Sequence, residues 1–255
     1  MKTVNTKFTR QLLSTIGLYR PIRAIYRHFE HRQEVAFYSK LLEPDSLCFD
    51  VGANVGKKTF AMLEAGMRVV AFEPQPDCMY ELKMKCMDYL NKLIDCECAV
   101  GAEVGESTLY INSVHSHSSL KQNWLNEVTV NEIQVSVITL DQAIEDYGRP
   151  DYCKIDVEGW EYEVLKGLTQ PIPLLSFEYH LSQKEVGKAL VCLDYLSRFG
   201  DLRINLRAQG RAMFAYEDWL TLQEFLRLFP DAFRSRKGYS YGNIFVRTDN
   251  YQLYQ

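Results

Sequence analysis

A short segment of the sequence combines a carboxylate with two glycines in a pattern that is typical of nucleoside-binding turns. The segment Asp50-Val-Gly-Ala-Asn-Val-Gly56 follows an apolar run, and its glycines let the backbone turn tightly and a ligand approach bare amides. A dinucleotide site needs a glycine in the middle of this turn to admit a pyrophosphate, but Asn54 stands there. The spacing of a phosphate-binding loop is also missing, although Lys57 and Lys58 follow. The turn therefore favours a ligand with an adenosine end and no phosphates.

A single acidic residue, Glu73, follows the second apolar run, 23 positions after Asp50. One strand–helix–strand unit of this length brings Glu73 beside the first turn, where its carboxylate can accept hydrogen bonds from both ribose hydroxyls. The carboxylate of Asp50, at the tip of the first strand, suits a cationic amine. A ribose and an ammonium group without phosphates describe S-adenosylmethionine, which is the predicted cofactor.

Four titratable residues follow two later apolar runs: Asp156, Glu158, Glu178 and His180. Methyl transfer to a hydroxyl requires alignment of the acceptor oxygen and removal of its proton, which calls for a base or a metal ion. We predict His180 as the base, with Asp156 and Glu158 as further catalytic residues. In the alternative, Asp156, Glu158 and His180 bind a divalent cation such as Mg²⁺, but no spacing demands it and no metal site is expected. Lys154 either pairs with a carboxylate or steers an anionic acceptor.

These residues can meet only if the strands before them end at the same edge of a sheet. The sequence from residue 46 onwards has the pattern of such a sheet. Short apolar runs alternate with segments of helical spacing, which is typical of an α/β fold with a mainly parallel sheet and helices on both faces. Ligands of such sheets bind beyond the carboxyl ends of the strands. The expected strands are 47–51, 68–73, 94–100, 152–156, 174–178, 202–206 and 243–247.

The chain is predicted to consist of an N-terminal helical extension, 1–45, and one α/β domain, 46–255, with an insert at 106–138. In the extension, helical spacing is interrupted at Pro21, which predicts two short helices followed by another at 35–42. The insert alternates between apolar and polar residues on both sides of a polar loop, which predicts a hairpin.

The distribution of charge bears on partners. Residues 1–45 carry eight Lys and Arg against four Asp and Glu, although the whole chain has a net charge of −4. The basic segment is interpreted as a solvated helix face, with a peripheral membrane contact or another anionic partner as the alternative. The acidic remainder and the lack of a binding motif argue against nucleic acid.

Length and composition exclude several classes of protein. The 255 residues, 47% of them apolar and 24% charged, suit one large globular domain and exclude bulk disorder. No apolar run approaches the roughly 18 residues of a membrane span, and no signal-peptide pattern is present, so a cytoplasmic protein is expected. The seven cysteines are expected to be buried reduced thiols rather than disulfides or metal ligands.

Several blocks of the sequence resemble the FkbM-type S-adenosylmethionine-dependent methyltransferases. They are Phe49-Asp-Val-Gly-Ala-Asn-Val-Gly56, Ala71-Phe-Glu-Pro-Gln-Pro76, Thr139-Leu-Asp141, Lys154-Ile-Asp-Val-Glu-Gly-Trp-Glu161 and Leu165-Lys-Gly167. The resemblance runs from about residue 46 to residue 180, with a weaker match at Gly242-Asn-Ile-Phe-Val246. Trp160 departs from the family pattern, which more usually has a small residue at this position.

The resemblance implies a class I methyltransferase fold, which is Rossmann-like, with a seven-stranded sheet whose last strand is antiparallel. It implies that Ala99 borders the adenine and that the loop at Ser119 approaches the cofactor. The predicted cofactor contacts are Asp50, Gly52, Ala53, Asn54, Gly56, Glu73, Ala99, Ser119 and Asp156. Family members often O-methylate sugars or secondary metabolites, so the implied acceptor is a hydroxyl of a glycan or other small molecule.

Three other functions remain open from the sequence, one of which, a nucleic-acid methyltransferase, is disfavoured by the acidic charge of residues 46–255. A nicotinamide-dependent oxidoreductase would use a similar sheet, but Asn54 in the middle of the turn argues against it. A non-catalytic protein could keep the pocket as a binding site. The carboxylates of Asp50, Glu73 and Asp156 argue against such a loss of catalysis.

Overall fold

The computed structural model describes residues 19–112, 118–120, 129–180, 186–234 and 241–248. These residues form eleven strands: β1 (Leu47–Val51), β2 (Arg68–Phe72), β3 (Leu93–Cys96), β4 (Ala99–Val100), β5 (Gly105–Asn112), β6 (Thr129–Ile138), β7 (Tyr152–Ile155), β8 (Leu174–His180), β9 (Leu202–Ala208), β10 (Leu220–Thr221) and β11 (Tyr241–Thr248). The same described residues form seven α-helices: α1 (Tyr19–Leu41), α2 (Lys57–Glu64), α3 (Pro76–Lys85), α4 (Leu140–Tyr147), α5 (Glu161–Lys166), α6 (Val186–Ser197) and α7 (Leu222–Arg234). Within these ranges, every helix is too short or too polar to cross a bilayer.

The main sheet has the strand order β10-β9-β11-β8-β7-β1-β2-β3. Strands β3, β2, β1, β7 and β8 run parallel to one another, whereas β11 is antiparallel to both β8 and β9. This arrangement confirms the predicted α/β class, the mainly parallel sheet and the antiparallel last strand. Among the described residues the sheet has eight strands rather than seven, because the two-residue β10 extends the edge beside β9.

Helices cover both faces of the main sheet, because successive residues of each buried strand point to opposite sides. In β1, Cys48 belongs to a core cluster that includes residues of α1, α2 and α3. Its neighbour Phe49 belongs to a second cluster that includes residues of α4, α5, α6 and α7. Helix α1 is therefore part of the packed body: Phe37, Tyr38 and Leu41 are buried.

Two predicted elements differ in the structure. Helix α1 runs without interruption from Tyr19 to Leu41, so the prediction of separate helices after Pro21 and at 35–42 is wrong, because no glycine or proline interrupts residues 22–41. The short helix predicted before Pro21 lies outside the described residues. The predicted strand 94–100 ends early, because the Cys98 N–H donates to the Cys96 carbonyl (2.9 Å) in a tight turn.

After that turn the chain enters a second, three-stranded sheet of order β4-β6-β5. Strand β5 is antiparallel to β6, which confirms the hairpin predicted from the alternation in 106–138. The seven cysteines are free thiols and six of them are buried, in agreement with the sequence.

The first turns of α1 extend away from the core. Ile25, Tyr26 and Phe29 are 70%, 48% and 59% exposed on this segment, which also carries Arg23 and Arg27. Contact of this surface with an anionic partner stays a prediction.

Candidate functional site

A cavity of about 400 Å³ lies where β1, β2 and β7 end, and this volume is typical of small-molecule sites. Because these strands are parallel, their carboxyl ends meet at one edge, and the loops that follow them supply much of the lining. The predicted site residues that line it are Gly52, Ala53, Asn54, Glu73, Ala99, Ser119, Asp156 and Glu158. Asp50, Gly56 and His180 are not part of the lining.

The turn after β1 is tied to β2 and leaves no room for a side chain at its start. The N–H groups of Gly52 and Ala53 both donate to the Phe72 carbonyl, at 3.0 and 3.1 Å. Gly52 has φ +78°, and a Cβ there would lie 1.9 Å from the Asp156 carbonyl oxygen, so the position requires glycine. Asn54 also has a positive φ, 50°, which is uncommon for a residue other than glycine and typical of functional turns.

Glu73 follows β2 and faces the cavity with a nearly buried carboxylate, 7% exposed. Its two oxygens accept the N–H groups of Asn54 (2.8 Å) and Gln75 (2.9 Å). Burial raises the pKa of Glu73 to about 7, although both backbone hydrogen bonds favour the charged form. A carboxylate offers about four acceptor positions, so the anchored side chain can still accept hydrogen bonds from the hydroxyl groups of a ligand.

Asp50 lies beneath the turn and is fully buried. The register of β1 and β7 pairs Asp50 with Lys154, and the Lys154 Nζ lies 3.3 Å from Asp50 Oδ1. The Thr59 hydroxyl donates to the other carboxylate oxygen at 2.7 Å, so Asp50 joins the sheet to α2. Asp50 Oδ1 has no hydrogen-bond partner among the described residues, but Asp50 does not line the cavity, so its contact with a cationic amine stays a prediction. Gly56, at the start of α2, instead packs on Leu82: a Cβ would lie 2.6 Å from that side chain.

Three carboxylates cluster at the end of β7 and β8. Carboxylate oxygens of Asp156, Glu158 and Glu178 all lie within 4.8 Å of one another. Lys154 Nζ lies 3.0 Å from Asp156; burial works against the lysine charge, but Asp156 and Asp50 outweigh it and raise the pKa of Lys154. Burial and the neighbouring Asp156 raise the pKa of Glu178. Since Asp156 and Glu158 line the cavity, this cluster presents negative charge to a ligand and suits a cationic group.

His180 lies behind this cluster rather than in the cavity. Its Nε2 is 3.2 Å from Glu178 Oε2, and its ring stacks on Tyr241 with centroids 5.8 Å apart. The hydrogen bond to Glu178 raises the pKa of His180. The structure thus places Glu178 next to Asp156 and Glu158, where the sequence predicted His180, and the oxygen cluster alone does not assign a metal ion.

The second sheet closes the cavity from the other side. The Ser119 hydroxyl donates to the Glu158 carbonyl (2.9 Å), and Ser119 also bridges to Tyr110 of β5. Trp160 lines the cavity, and its buried indole Nε1 has no hydrogen-bond partner among the described residues. Trp160 departs from the family pattern, but that departure does not predict this donor. Residues 115 and 117 of the polar loop lie outside the described residues.

One part of the site was missed from the sequence. Lys58 and Gln209 line the cavity, and Lys58 Nζ forms an ion pair with Glu34 of α1 at 2.8 Å. Arg207 of β9 donates from both terminal nitrogens to the same carboxylate, each at 2.9 Å. Glu34 and Arg207 are 173 positions apart, and no local spacing in the sequence signals their contact.

Comparison with known proteins identifies a family. The family model described as "Methyltransferase FkbM domain" matches residues 50–213. The hexuronic acid methyltransferase AglP of Haloferax volcanii is 25% identical over 191 residues, which cover 72% of this chain and 75% of that protein. The 31-O-demethyl-FK506 methyltransferase FkbM of Streptomyces tacrolimicus is 30% identical over 159 residues, covering 50% of this chain and 61% of that protein.

Solved structures show a more distant similarity. A precorrin-6Y C5,15-methyltransferase from Geobacter metallireducens has a TM-score of 0.44 and 11% identity, with 85% of this chain and 86% of that chain covered. Fibrillarin from Aeropyrum pernix, solved with S-adenosyl-L-methionine, has a TM-score of 0.42 and 10% identity, with 80% and 66% covered. Overlaps of this extent do not bear on the chemistry of the site.

Proposed function

The chain belongs to the FkbM methyltransferase family, and on this basis we propose that it transfers a methyl group from S-adenosylmethionine to a hydroxyl group of a sugar or saccharide-bearing small molecule. S-adenosylmethionine-dependent methyl transfer follows from the family. The oxygen acceptor is supported by two relatives, one named for a hexuronic acid and one for a 31-O-demethyl substrate.

The residues that line the cavity fit the parts of this cofactor. Glu73 presents an anchored carboxylate to the two ribose hydroxyls, and Asn54 closes the turn against a diphosphate. Asp156 and Glu158 offer negative charge to the ammonium and sulfonium groups, because they line the cavity and the buried Asp50 does not. When bound, S-adenosylmethionine supplies a methyl group on a positively charged sulfur.

The protein must align the acceptor hydroxyl and remove its proton. Asp156 and Glu158 are the carboxylates of the cluster that line the cavity, so we assign them the role of base rather than His180. Glu178 belongs to the same cluster, and its Oε2 lies 3.2 Å from His180 Nε2. His180 would then act as a positioning residue that holds Glu178 beside Asp156 and Glu158.

The observation that carries this proposal is that one cavity holds the glycine turn, the anchored Glu73 and two carboxylates of the cluster. We would measure transfer of labelled methyl from S-adenosylmethionine to uronic acids and neutral sugars. Asp156→Asn and Glu158→Gln should each lower turnover by about 10²–10⁴-fold, which is the usual contribution of acid–base catalysis.

A comparison with His180 separates a base from a positioning residue. His180→Gln should retain measurable turnover and change its dependence on pH, because the group behind Glu178 no longer titrates. If His180→Gln abolishes turnover while Asp156→Asn and Glu158→Gln leave it unchanged, the assignment is refuted. Absence of methyl transfer to every oxygen acceptor, with binding of S-adenosylhomocysteine intact, would refute the proposed acceptor class.

A further inference from the structure

Three charged side chains on α1, α2 and β9 form a nearly closed cluster beside the cavity. The Glu34 carboxylate accepts hydrogen bonds from Arg207 at 2.9 Å through each oxygen, and it lies 2.8 Å from Lys58 Nζ. The side chains of Glu34, Lys58 and Arg207 are only 19%, 25% and 8% exposed. The Arg207 guanidinium also stacks over the Phe37 ring of α1, 3.8 Å from its centroid.

The cluster is unbalanced by one positive charge, since two cations share one carboxylate. Lys154, which lies nearby, already has two carboxylates of its own, Asp50 and Asp156. Burial lowers the pKa of Lys58, and the charges of Arg207 and Lys154 act in the same direction against the pull of Glu34. A buried charge without a matching counter-ion is costly, so a ligand that brings one negative charge would stabilise this cluster.

The cluster faces the cavity through Lys58. Lys58, Lys154 and Gln209 line both the cavity and a small recess of about 10 Å³, which has room for about one oxygen atom. Arg207 and Asn243 line the recess as well. The recess therefore places the cations of Lys58 and Arg207 around a space for one ligand oxygen.

We propose that Lys58, with Arg207 beside it, forms a subsite for a carboxylate of a ligand bound in the cavity. A single negative charge matches the excess of one, whereas a phosphate dianion would exceed it and meet repulsion from Glu34. The carboxylate comes from the amino-acid end of S-adenosylmethionine or from an acidic sugar acceptor. The proposal rests on the proposed function, and it makes α1 part of the ligand site although α1 lies outside the matched residues 50–213.

The test compares two cofactor probes by isothermal titration. S-adenosylhomocysteine carries the carboxylate, and 5′-methylthioadenosine is the same type of nucleoside thioether without the amino-acid end. Lys58→Met removes the charge and Lys58→Arg retains it. Lys83→Met is the matched control, because Lys83 also forms an ion pair, with Asp95 at 2.7 Å, but on the surface and away from the cavity.

If the cofactor supplies the carboxylate, Lys58→Met weakens S-adenosylhomocysteine by about 10–100-fold and leaves 5′-methylthioadenosine unchanged. If the acceptor supplies it, both nucleosides bind normally, and Lys58→Met instead weakens binding of glucuronate, relative to glucose, to the S-adenosylhomocysteine complex. In either case Lys58→Arg restores most of the loss and Lys83→Met has no effect. If Lys58→Met binds all the probes as the wild-type protein does and has an unchanged melting temperature, the proposed subsite is refuted.

Glu34→Gln provides a second and opposite test that does not depend on how Lys58→Met folds. It removes the competing carboxylate, so binding of the carboxylate-bearing probe should become tighter, by about threefold or more. Weaker or equal binding would contradict the proposal. Failure of the proposed function looks different, because the wild-type protein would then bind neither nucleoside.

Discussion

Affinity for S-adenosylhomocysteine should rise with pH, because Glu73 must lose a proton before it can accept hydrogen bonds from two hydroxyl groups. The pKa of Glu73 is about 7 in the free protein, mainly because its carboxylate is buried. At pH 6 about one tenth of the molecules therefore hold the charged carboxylate, and at pH 8 about nine tenths do. Since apparent affinity scales with the competent fraction, the dissociation constant should fall about tenfold between pH 6 and pH 8 and level off above.

The sign follows from the direction of the shift. A ligand hydroxyl donates to the ionised carboxylate, so binding lowers the pKa of Glu73 and releases a proton. Titrations in two buffers that differ in ionisation enthalpy would measure this release, which should approach about one proton per site at pH 6 and fall towards zero at pH 8.

Two variants separate Glu73 from other titrating groups. Glu73→Gln should bind weakly and with little dependence on pH, because the amide neither ionises nor accepts as strongly. Glu161 is the matched control, because burial raises its pKa to about 7 as well and it also accepts backbone N–H groups, from Val157 and Gly159. It does not line the cavity. Glu161→Gln should keep the tenfold dependence; if it loses the dependence, or if Glu73→Gln keeps it, the reasoning fails.

Two further predictions concern stability. Gly52→Ala should lower the free energy of unfolding by about 1–3 kcal/mol or prevent folding, because the new Cβ would lie 1.9 Å from the Asp156 carbonyl oxygen. If the variant unfolds thermally as the wild-type protein does, the turn can relax and the prediction is refuted. Lys154→Met should cost about 3–5 kcal/mol in a denaturant titration, because it leaves two carboxylates without their buried partner. The exposed pair of Lys83 gives the comparison, and Lys83→Met should change stability little; equal losses for the two variants would argue against the importance of burial.

The sequence predicted the parts of the site that depend on local spacing. The glycine turn and Glu73 are separated by one strand–helix–strand unit, so their meeting follows from the order of elements along the chain. The environment of Asp50 does not follow from that order, because its partner Lys154 reaches it only when β7 pairs with β1. The same holds for His180, whose position depends on the pairing of β8 with β7 and β11.

The extension was the element least accessible to prediction. Apolar spacing predicted one helix after Pro21 and another at 35–42, but spacing alone does not show that the two segments form a single helix. The pairing of Glu34 with Lys58 and Arg207 joins three elements that the chain order does not make neighbours. Such long-range ion pairs leave no periodic pattern in a sequence.

The position of β11 in the middle of the main sheet has a consequence for biosynthesis. Strands β1, β2, β3, β7 and β8 form a parallel block that is complete once residue 180 has left the ribosome. Until 241–248 follow, β8 and β9 have no common neighbour, and each exposes an unpaired edge that can recruit another chain. A nascent or prematurely terminated polypeptide would therefore carry most of the loops that line the cavity together with unpaired strand edges, which favour aggregation.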